Sequence, residues 1–365
     1  MPLKCNIEGG AMDRTSWLLK DLSEAHGVAG YEAEVRAIVR RHVEPLGHIE
    51  QDRIGSLVCR LGDGGPKVML AAHMDEIGFM VHHVTEEGFL RFRPLGGWFD
   101  QVVLGLRVAI KTNKGDVPGV IGAKPPHLLS QEERKKPVEI KDMYIDIGVG
   151  SREEVQETGV QLGDPVVPAG RFEVLANKKA CMGKAFDDRV GLALMIEALE
   201  HFSKASHPNV LCGVATVMEE VGLRGAKTSA ELVDPDVAII LETDICGDLP
   251  GIKPEEAAIR LGKGPALVLL DARMIPNLKF RDLAIETANS LGIPLQFSAG
   301  LGGATDGGQI HLHGIGVPTI VLGVPTRHIH SHSGILHMDD YERTRKLLVA
   351  LVERLDEDIV RGFAS

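Results

Sequence analysis

Two adjacent carboxylates, Glu219 and Glu220, come at the end of the apolar run over residues 210–217 and before Gly222. An apolar run of this length between turn residues predicts a buried parallel strand. In open α/β sheets, ligands bind beyond the carboxyl ends of the strands. Two buried carboxylates repel each other when both are ionised, and a cation or a shared proton relieves that cost. The pair is therefore a candidate catalytic centre, with a solvated pair of loop residues as the alternative.

His73 and Asp75 follow another predicted buried strand, residues 67–72. Their spacing of two lets both side chains point the same way from an extended chain. A metal-binding histidine commonly donates its second ring nitrogen to a carboxylate or carbonyl that fixes its tautomer. The two residues are thus candidates for a metal site, with a hydrogen-bonded histidine at a strand end as the alternative.

Two more acidic pairs occupy similar places. Asp187 and Asp188 open a predicted helix over residues 189–202, where they could bridge two cations or simply cap the helix. Glu242 follows the predicted strand over residues 237–241, and Asp244 comes two residues later. A carboxylate directly after a buried strand needs a partner or water.

His328, His330 and His332 follow the apolar run that ends at Leu322. Histidines at a spacing of two suit a metal site, although an ordinary surface loop can have the same pattern. Together with the acidic pairs they form a mixed set of imidazole and carboxylate groups, which suits zinc, cobalt or manganese.

The composition excludes several classes of function. The chain has 365 residues, 44% of them hydrophobic and 25% charged, which is ordinary for a globular protein. Its net charge of -11 disfavours binding to nucleic acid and to anionic membranes, since both are polyanions. With 10 Phe, 3 Tyr and 2 Trp, no aromatic platform for single strands is apparent.

The five cysteines are scattered and form no CxxC pair, which argues against a disulfide framework and a structural zinc knuckle. We interpret them as reduced, mostly buried thiols. Residues 1–12 lack the apolar stretch of a secretory signal, and no window is apolar enough to span a membrane. The sequence therefore predicts a cytoplasmic protein.

The order of predicted elements is α/β, then β, then α/β. Residues 77–174 consist of short alternating segments between Gly, Pro and charged turns, which is typical of a small β barrel or sandwich. We predict that residues 1–76 and 175–365 form one discontinuous α/β domain with a mixed or parallel sheet and flanking helices, interrupted by this inserted domain. Helices are predicted over residues 15–25, 31–43, 189–202, 226–232, 278–291 and 338–360.

Seven stretches, in order, resemble the dinuclear metallo-aminopeptidase family that includes the glutamyl and the tetrahedral aminopeptidases, some of whose members have been named endoglucanases. The resemblance spans almost the whole chain and implies a zinc-peptidase-like catalytic fold. The matching stretches are residues 72–79, 119–127, 185–189, 219–226, 247–251, 305–308 and 327–331.

The resemblance implies a role for each site residue. Asp187 would bridge two divalent ions in each subunit, with zinc favoured and cobalt or manganese possible in its place, and its peptide bond to Asp188 would be cis. Glu219 would be the general base, and Asp75 would orient the site. One ion would be held by His73, Asp187 and Glu242, and the second by Asp187, Glu220 and His330.

The resemblance further implies peptide substrates and a homo-oligomer, in which the inserted domain makes dimers that often assemble into a twelve-subunit tetrahedron. The sequence departs from the family pattern at three places. Asp244 could compete with Glu242 as the strand-end ligand. His328 stands where a tyrosine is usual, and His332 with Ser333 replaces a more usual pair, so that the rim of the substrate pocket is expected to differ.

The function predicted from these observations is metal-dependent hydrolysis of the N-terminal peptide bond by an activated water. A glycoside hydrolase of the endoglucanase type is the main competing function, but it needs two carboxyl groups ~5–9.5 Å apart, needs no metal, and would find few aromatic residues here to stack sugars. An N-acyl deacylase would use the same metal site, and a metal-binding scaffold without turnover would carry the same residues.

Overall fold

The structure is a computed structural model that describes residues 12–300 and 302–364. The helices are α1 Arg14–Glu24, α2 Ala33–Val43, α3 Arg152–Thr158, α4 Phe186–Phe202, α5 Arg224–Val233, α6 Leu278–Ser290, α7 Gly307–Ile310, α8 Met338–Arg354 and α9 Glu357–Gly362. The strands of the first half are β1 His48–Gln51, β2 Leu57–Leu61, β3 Lys67–His73, β4 Gly78–Val84, β5 Leu90–Leu95, β6 Arg107–Thr112, β7 Gly115–Gly122, β8 Tyr144–Asp146 and β9 Pro165–Pro168. Those of the second half are β10 Glu173–Val174, β11 Ala180–Gly183, β12 Val210–Thr216, β13 Val237–Ile245, β14 Ala266–Leu270, β15 Gln296–Ala299, β16 Thr319–Arg327 and β17 Gly334–His337.

A mixed sheet forms the centre of the molecule, with the strand order β1-β2-β12-β3-β13-β16-β17-β11-β10 and with β14 and β15 attached to β16. Its middle strands β12, β3, β13 and β16 are parallel neighbours. These strands are buried along almost their whole length, because continuous apolar runs suit a sheet that is covered on both faces.

Helices cover both faces of this sheet. One apolar core lies between the sheet and α1, α2, α4, α6 and α8, and a smaller core lies under α5 and α7 on the opposite face. Helix α4 is buried on nearly all sides, as expected for a helix that is apolar all round. The fold is therefore the predicted α/β class with flanking helices.

Between β3 and β10 the chain forms a closed antiparallel barrel in the order β4-β5-β8-β7-β6-β9, in which β9 pairs back to β4. Inward-facing residues such as Phe79, Val108 and Ile145 fill it with a separate apolar core. A closed barrel leaves no free strand edge. The barrel predicted from the alternating segments is confirmed, whereas the exact domain boundaries remain a prediction.

Several predicted boundaries were wrong. The closing helix does not run to residue 360, because Leu355 leaves the helical conformation and the Asp356 side chain caps α9 by accepting from the Ile359 backbone N–H at 2.9 Å. Helix α1 begins one residue earlier than predicted, because the Asp13 side chain caps it by accepting from the Ser16 backbone N–H at 2.7 Å. The His337 side chain caps α8 by accepting from the Asp339 backbone N–H.

The four described cysteines, Cys59, Cys181, Cys212 and Cys246, are buried and unpaired, as predicted, and Cys5 lies outside the described residues. The prediction about residues 1–11 lies outside them as well. None of the described helices combines the length and the apolar character that a membrane crossing requires. The cytoplasmic location stays a prediction.

Candidate metal centre

The carboxyl ends of the parallel strands bring the candidate residues together. His73 ends β3 and lies opposite Thr216, the last residue of β12. Glu219 and Glu220 follow β12, and Glu242 lies within β13 beside them. Because parallel strands present their carboxyl ends at one edge of a sheet, residues far apart in sequence meet there.

Asp187 lies between two histidines and turns one oxygen to each. Its Oδ1 is 3.1 Å from Nε2 of His73, and its Oδ2 is 3.5 Å from Nε2 of His330. The peptide bond between Asp187 and Asp188 is cis, as the family resemblance implies.

Two groups of side chains have the composition and spacing of metal-ligand sets. The first contains His73, Asp187 and Glu242, and the second contains Asp187, Glu220 and His330, with ligand atoms within 4.8 Å of one another in each. Asp187 belongs to both groups. The sets match the two triads that the resemblance implies.

Both histidines are held in the tautomer that leaves Nε2 free to bind a metal. The Nδ1 of His73 hydrogen-bonds the Asp75 carbonyl at 2.9 Å, and the Nδ1 of His330 hydrogen-bonds the Gly97 carbonyl at 2.8 Å. A carbonyl only accepts, so each Nδ1 donates, and in the neutral imidazole the lone pair lies on Nε2. Gly97 comes from the loop after β5, so the barrel also contributes to this centre.

The Asp75 carboxylate holds the backbone of the glutamate pair. Its Oδ1 accepts from the Glu219 N–H at 2.9 Å, and its Oδ2 accepts from the Glu220 N–H at 3.0 Å. Asp75 is fully buried, and its Oδ1 is also 3.5 Å from Nδ1 of His73. It therefore positions the two glutamates and the first histidine without belonging to either ligand group.

The histidines are in an environment that favours their charged form. Burial acts to lower the pKa of His73, but hydrogen bonds to Asp187 and Asp75 and the nearby Glu242 and Glu219 carboxylates outweigh it and raise that pKa well above its ordinary value. The hydrogen bond to Asp187 raises the pKa of His330 to about 9. Burial alone would raise the pKa of Asp187, but the two histidines hold it well below its ordinary value.

The glutamates, by contrast, are in an environment that favours their neutral, protonated form. Burial, reinforced by neighbouring carboxylates, raises the pKa of Glu219, of Glu220 and of Glu242 above the ordinary value. The folded centre therefore retains protons at neutral pH. Because metal ligands must be deprotonated, divalent cations would replace these protons and neutralise the cluster, so the donor set fits such ions.

Strained backbone surrounds the centre. Positive φ occurs at the candidate ligand His330 and at three non-glycine residues within two positions of a ligand, Ala185, Met218 and His328, with φ between 54° and 58° in all four. Residues with side chains adopt this region only at a cost that the surrounding structure must offset. Such positions cluster at functional sites, and here they set the directions of Glu219 and His330.

A buried ion cluster lies beneath the metal centre. Glu76 accepts from Lys184 Nζ at 2.6 and 2.8 Å and lies 3.4 Å from the Arg189 guanidinium. Burial lowers the pKa of Lys184 to about 8, against the opposing effect of Glu76. This cluster ties the loop after β3 to the turn that carries Asp187. Glu76 and Arg189 lie in the stretches that resemble the family. The buried ion pair of Glu76 with Lys184 joins residues 108 positions apart, however, and such a pair leaves no local sequence signal.

Asp306 is another residue whose role the sequence did not indicate. It is buried, its Oδ2 accepts from the Thr216 hydroxyl at 2.5 Å, and its Oδ1 has no hydrogen-bond partner among the described residues. Burial raises the pKa of Asp306 to about 6. It adds a second buried carboxylate behind Glu219, and only its place in the matched stretch over residues 305–308 hinted at it.

A cavity of about 500 Å³ opens beside the centre. His73, Asp187, Glu219 and Glu242 lie at one end of it. Its volume is in the range of small-molecule sites. The cavity can therefore take a substrate whose reacting bond lies against the metal-ligand groups.

Asp244, His328 and His332, which the sequence offered as further ligand candidates, lie outside both ligand groups. Asp244 and His328 line the cavity. His332 lines a different depression beside Trp98. Glu242, rather than Asp244, is the β13 carboxylate that meets His73 and Asp187 in the structure.

The sequence matches a known family model. The model, described as M42 glutamyl aminopeptidase, matches residues 55–347. The chain is 34% identical to a glutamyl aminopeptidase of Lactococcus lactis over 354 residues, which cover 94% of this chain and 97% of that one. It is also 34% identical to a lysyl aminopeptidase of Pyrococcus furiosus over 345 residues, which cover 93% and 96% of the two chains.

Solved structures share the fold. A TET aminopeptidase from a marine sediment archaeon of the Thaumarchaeota has a TM-score of 0.94 and 48% identity, covering 96% of this chain and 99% of that one. A Pyrococcus horikoshii TET1 peptidase, described as able to assemble into a tetrahedron or a large octahedral shell, has a TM-score of 0.86 and 34% identity, covering 93% and 100%.

Proposed function

The chain belongs to the M42 glutamyl aminopeptidase family, and from that premise we propose that it removes N-terminal residues from peptides with two divalent ions per subunit. The protein is an aminopeptidase. His73, Asp187 and Glu242 would hold one ion, and Asp187, Glu220 and His330 the second.

One observation carries this proposal: the two oxygens of Asp187 face histidines of two different ligand groups, at 3.1 and 3.5 Å. A carboxylate that served one ion would not need a second imidazole on its second oxygen. A mixed His, Asp and Glu set favours zinc, with cobalt and manganese also suited to it.

When bound, the ions would supply Lewis acidity that polarises the peptide carbonyl and makes a water acidic near neutral pH. Glu219, which belongs to neither ligand group, takes a proton from the water as the water oxygen attacks the carbonyl carbon. The same carboxyl then gives that proton to the nitrogen of the leaving amine as the C–N bond breaks. Asp75 keeps Glu219 in place through the backbone.

Replacement of Glu219 by Gln tests this assignment. We expect kcat to fall by ~10²–10⁴-fold, because the amide cannot accept the proton, while the metal content measured by elemental analysis stays at two ions per subunit. Glu87→Gln, at an exposed barrel turn, is the matched control and should keep full activity. Loss of metal together with activity, or survival of activity, would show that Glu219 has a different role.

The substrate is a peptide with a free amino terminus. Comparison of a peptide with its N-acetylated form separates this activity from deacylation, since only the free amine should be cleaved. Peptide cleavage that persists after complete chelation would contradict metal dependence. Hydrolysis of a glucan under the same conditions would instead agree with a glycosidase-type site.

We also propose that the chain forms a homo-oligomer through the barrel, with dimers as the first step towards a larger shell. The solved relative that assembles into a tetrahedron or octahedral shell supports this, as do large apolar side chains exposed on the barrel: Phe99, Leu104, Val120 and Leu128. Light scattering of the purified protein tests it. A monomer at micromolar concentration would contradict the proposal, and Leu128→Asp should lower the measured mass if this surface is the contact.

A further inference from the structure

The walls of the 500 Å³ cavity are apolar, with acidic groups among them. Its apolar walls are formed by Ile245, Leu249, Ile252, Val268, Leu270 and Ile329. Beyond the ligand-group residues and Glu219, the acidic residues that line it are Asp244 and Asp271. Within the described part of the chain, neither a lysine nor an arginine lines this cavity. Three histidines, His73, His328 and His330, line it as well, and two of them belong to the ligand groups. Away from those groups, the cavity combines an apolar surface with the carboxylates of Asp244 and Asp271.

The two aspartates differ in how many hydrogen bonds their carboxylate oxygens already accept. Asp271 Oδ1 accepts from the backbone N–H groups of Arg273 and Met274, both at 2.7 Å, and its Oδ2 accepts from the Thr305 hydroxyl. Asp271 thus holds a turn. Asp244 is hydrogen-bonded by the Ser298 side chain, but its Oδ2 is buried and has no partner among the described residues. A buried acceptor left unpaired is costly, and a ligand with a suitable donor would relieve that cost.

The position of Asp244 fits the far end of a long side chain. Glu242 and Asp244 are two residues apart on β13, so their side chains leave the same face of the strand about 7 Å apart. An extended lysine side chain spans ~6 Å from Cα to Nζ, from C–C bonds of ~1.5 Å. A substrate whose α-carbon lies near Glu242 can therefore place a terminal ammonium beside Asp244.

We propose that this cavity receives the side chain of the N-terminal residue and that Asp244 selects a basic one, lysine or arginine. This inference rests on the proposed function, because it takes the reacting bond to lie at the two ligand groups. The apolar walls contact the methylene stem, and the charged head meets the unpaired carboxylate oxygen. A glutamate side chain would bring a second negative charge beside Asp244 and Asp271 and is rejected.

Family membership leaves this choice open. The relatives include one named glutamyl aminopeptidase and one named lysyl aminopeptidase, which describe side chains of opposite charge. The selection inferred here comes from the residues of this cavity alone.

The test compares aminoacyl-coumarin substrates with lysine, norleucine and glutamate, on the purified metal-loaded protein. Norleucine has the lysine stem without the ammonium. The ratio of kcat/KM for lysine to that for norleucine therefore measures the contribution of the ammonium group alone. We expect lysine to exceed norleucine by ~10–100-fold, the range of a charge-assisted hydrogen bond, and glutamate to be the poorest of the three.

Asp244→Asn should lower the lysine-to-norleucine ratio by about tenfold or more with metal content still at the wild-type level, and Asp63→Asn, in an exposed turn, should keep the wild-type ratio. An unchanged ratio in Asp244→Asn, a preference for glutamate or norleucine in the wild type, or loss of metal from the variant would overturn the inference. If the wild type cleaved none of the substrates, the proposed function would fail, and calorimetry with free L-lysine against L-norleucine would still decide the selectivity of the cavity.

Discussion

At the scale of single residues, the centre depends on side chains that do not bind an ion. Asp75 accepts hydrogen bonds from the backbone of both Glu219 and Glu220 and so fixes the relative position of the proposed base and of a ligand. Partners of this kind tune a site almost as strongly as the ligands themselves.

Asp75→Asn should reduce kcat by ~10–100-fold, because the amide nitrogen would face a backbone N–H and one of the two hydrogen bonds would be lost. Steady-state kinetics and metal analysis measure the effect. Asp282→Asn, on the exposed face of α6, is the control. A kcat within twofold of the wild type would mean that Asp75 does not position the glutamates.

Thr216→Val should destabilise the protein by ~1–3 kcal/mol, because Asp306 would lose its described side-chain donor in a buried place. Urea unfolding measures the change. In the double variant Thr216→Val/Asp306→Asn the cost should be less than the sum of the single costs, since the two residues share one contact. Additive costs would show that the hydrogen bond does not connect them energetically.

At the scale of elements, the turn between β11 and α4 must hold Asp187 in place, and the Glu76–Lys184–Arg189 cluster anchors that turn. Lys184 and Glu76 are almost completely buried, at 1% and 2% side-chain exposure. Loss of one partner from such a pair leaves an uncompensated charge inside the protein.

Lys184→Met should therefore lower the free energy of unfolding by ~3–5 kcal/mol, measured by denaturant unfolding. Lys179→Met removes a lysine from the exposed Lys179–Asp339 pair and should cost less than ~1 kcal/mol. Equal costs for the two variants would contradict the anchoring role of the buried cluster.

The elements show what the sequence could predict and what it could not. Apolar runs correctly located β3, β12 and the start of β13, because fully buried parallel strands carry a continuous signal. The same signal missed the end of β13, where Glu242 and Asp244 interrupt the run but the strand continues to Ile245 through pairing with β16. Strand pairing is a tertiary contact that an apolar run does not record. Polar site residues such as Glu242 and Asp244 therefore hide the end of the strand in which they lie.

The candidate site was predicted more fully than its surroundings. The five residues that motif spacing and family resemblance put forward as ligands lie together in the two groups, and their role as ligands stays a prediction. The contacts of Asp75 with Glu219 and of Thr216 with Asp306 join residues 144 and 90 positions apart. No local pattern records such contacts, and they became visible only in the folded chain.

At the scale of the whole molecule, folding is linked to protons at the centre. The raised pKa values of Glu220 and His330 mean that the metal-free folded state retains protons that the unfolded chain has released. A group with a raised folded-state pKa stabilises the fold below its unfolded pKa, and this contribution is lost as the pH rises through the folded value.

The metal-free protein should therefore lose stability as the pH rises from about 6.5 to about 9, the unfolded and folded values for His330. For this residue alone the slope stays below ~1.4 kcal/mol per pH unit, since the ring is partly exposed and solvent screens its ion pairs. Urea unfolding of chelated protein across this range measures the effect, and added zinc should flatten it. If the free energy of unfolding of the metal-free protein rose with pH, the folded state would not retain more protons than the unfolded chain, and the expectation would be wrong.

The ligand groups draw on residues from His73 to His330. A nascent chain emerges from the ribosome with its amino end first, and it carries only part of this set until all of β16 and the first residues of the loop after it have been made. A growing polypeptide therefore lacks the second triad until residue 330 has been added. The proposed two-ion centre cannot assemble on any chain that stops before this residue.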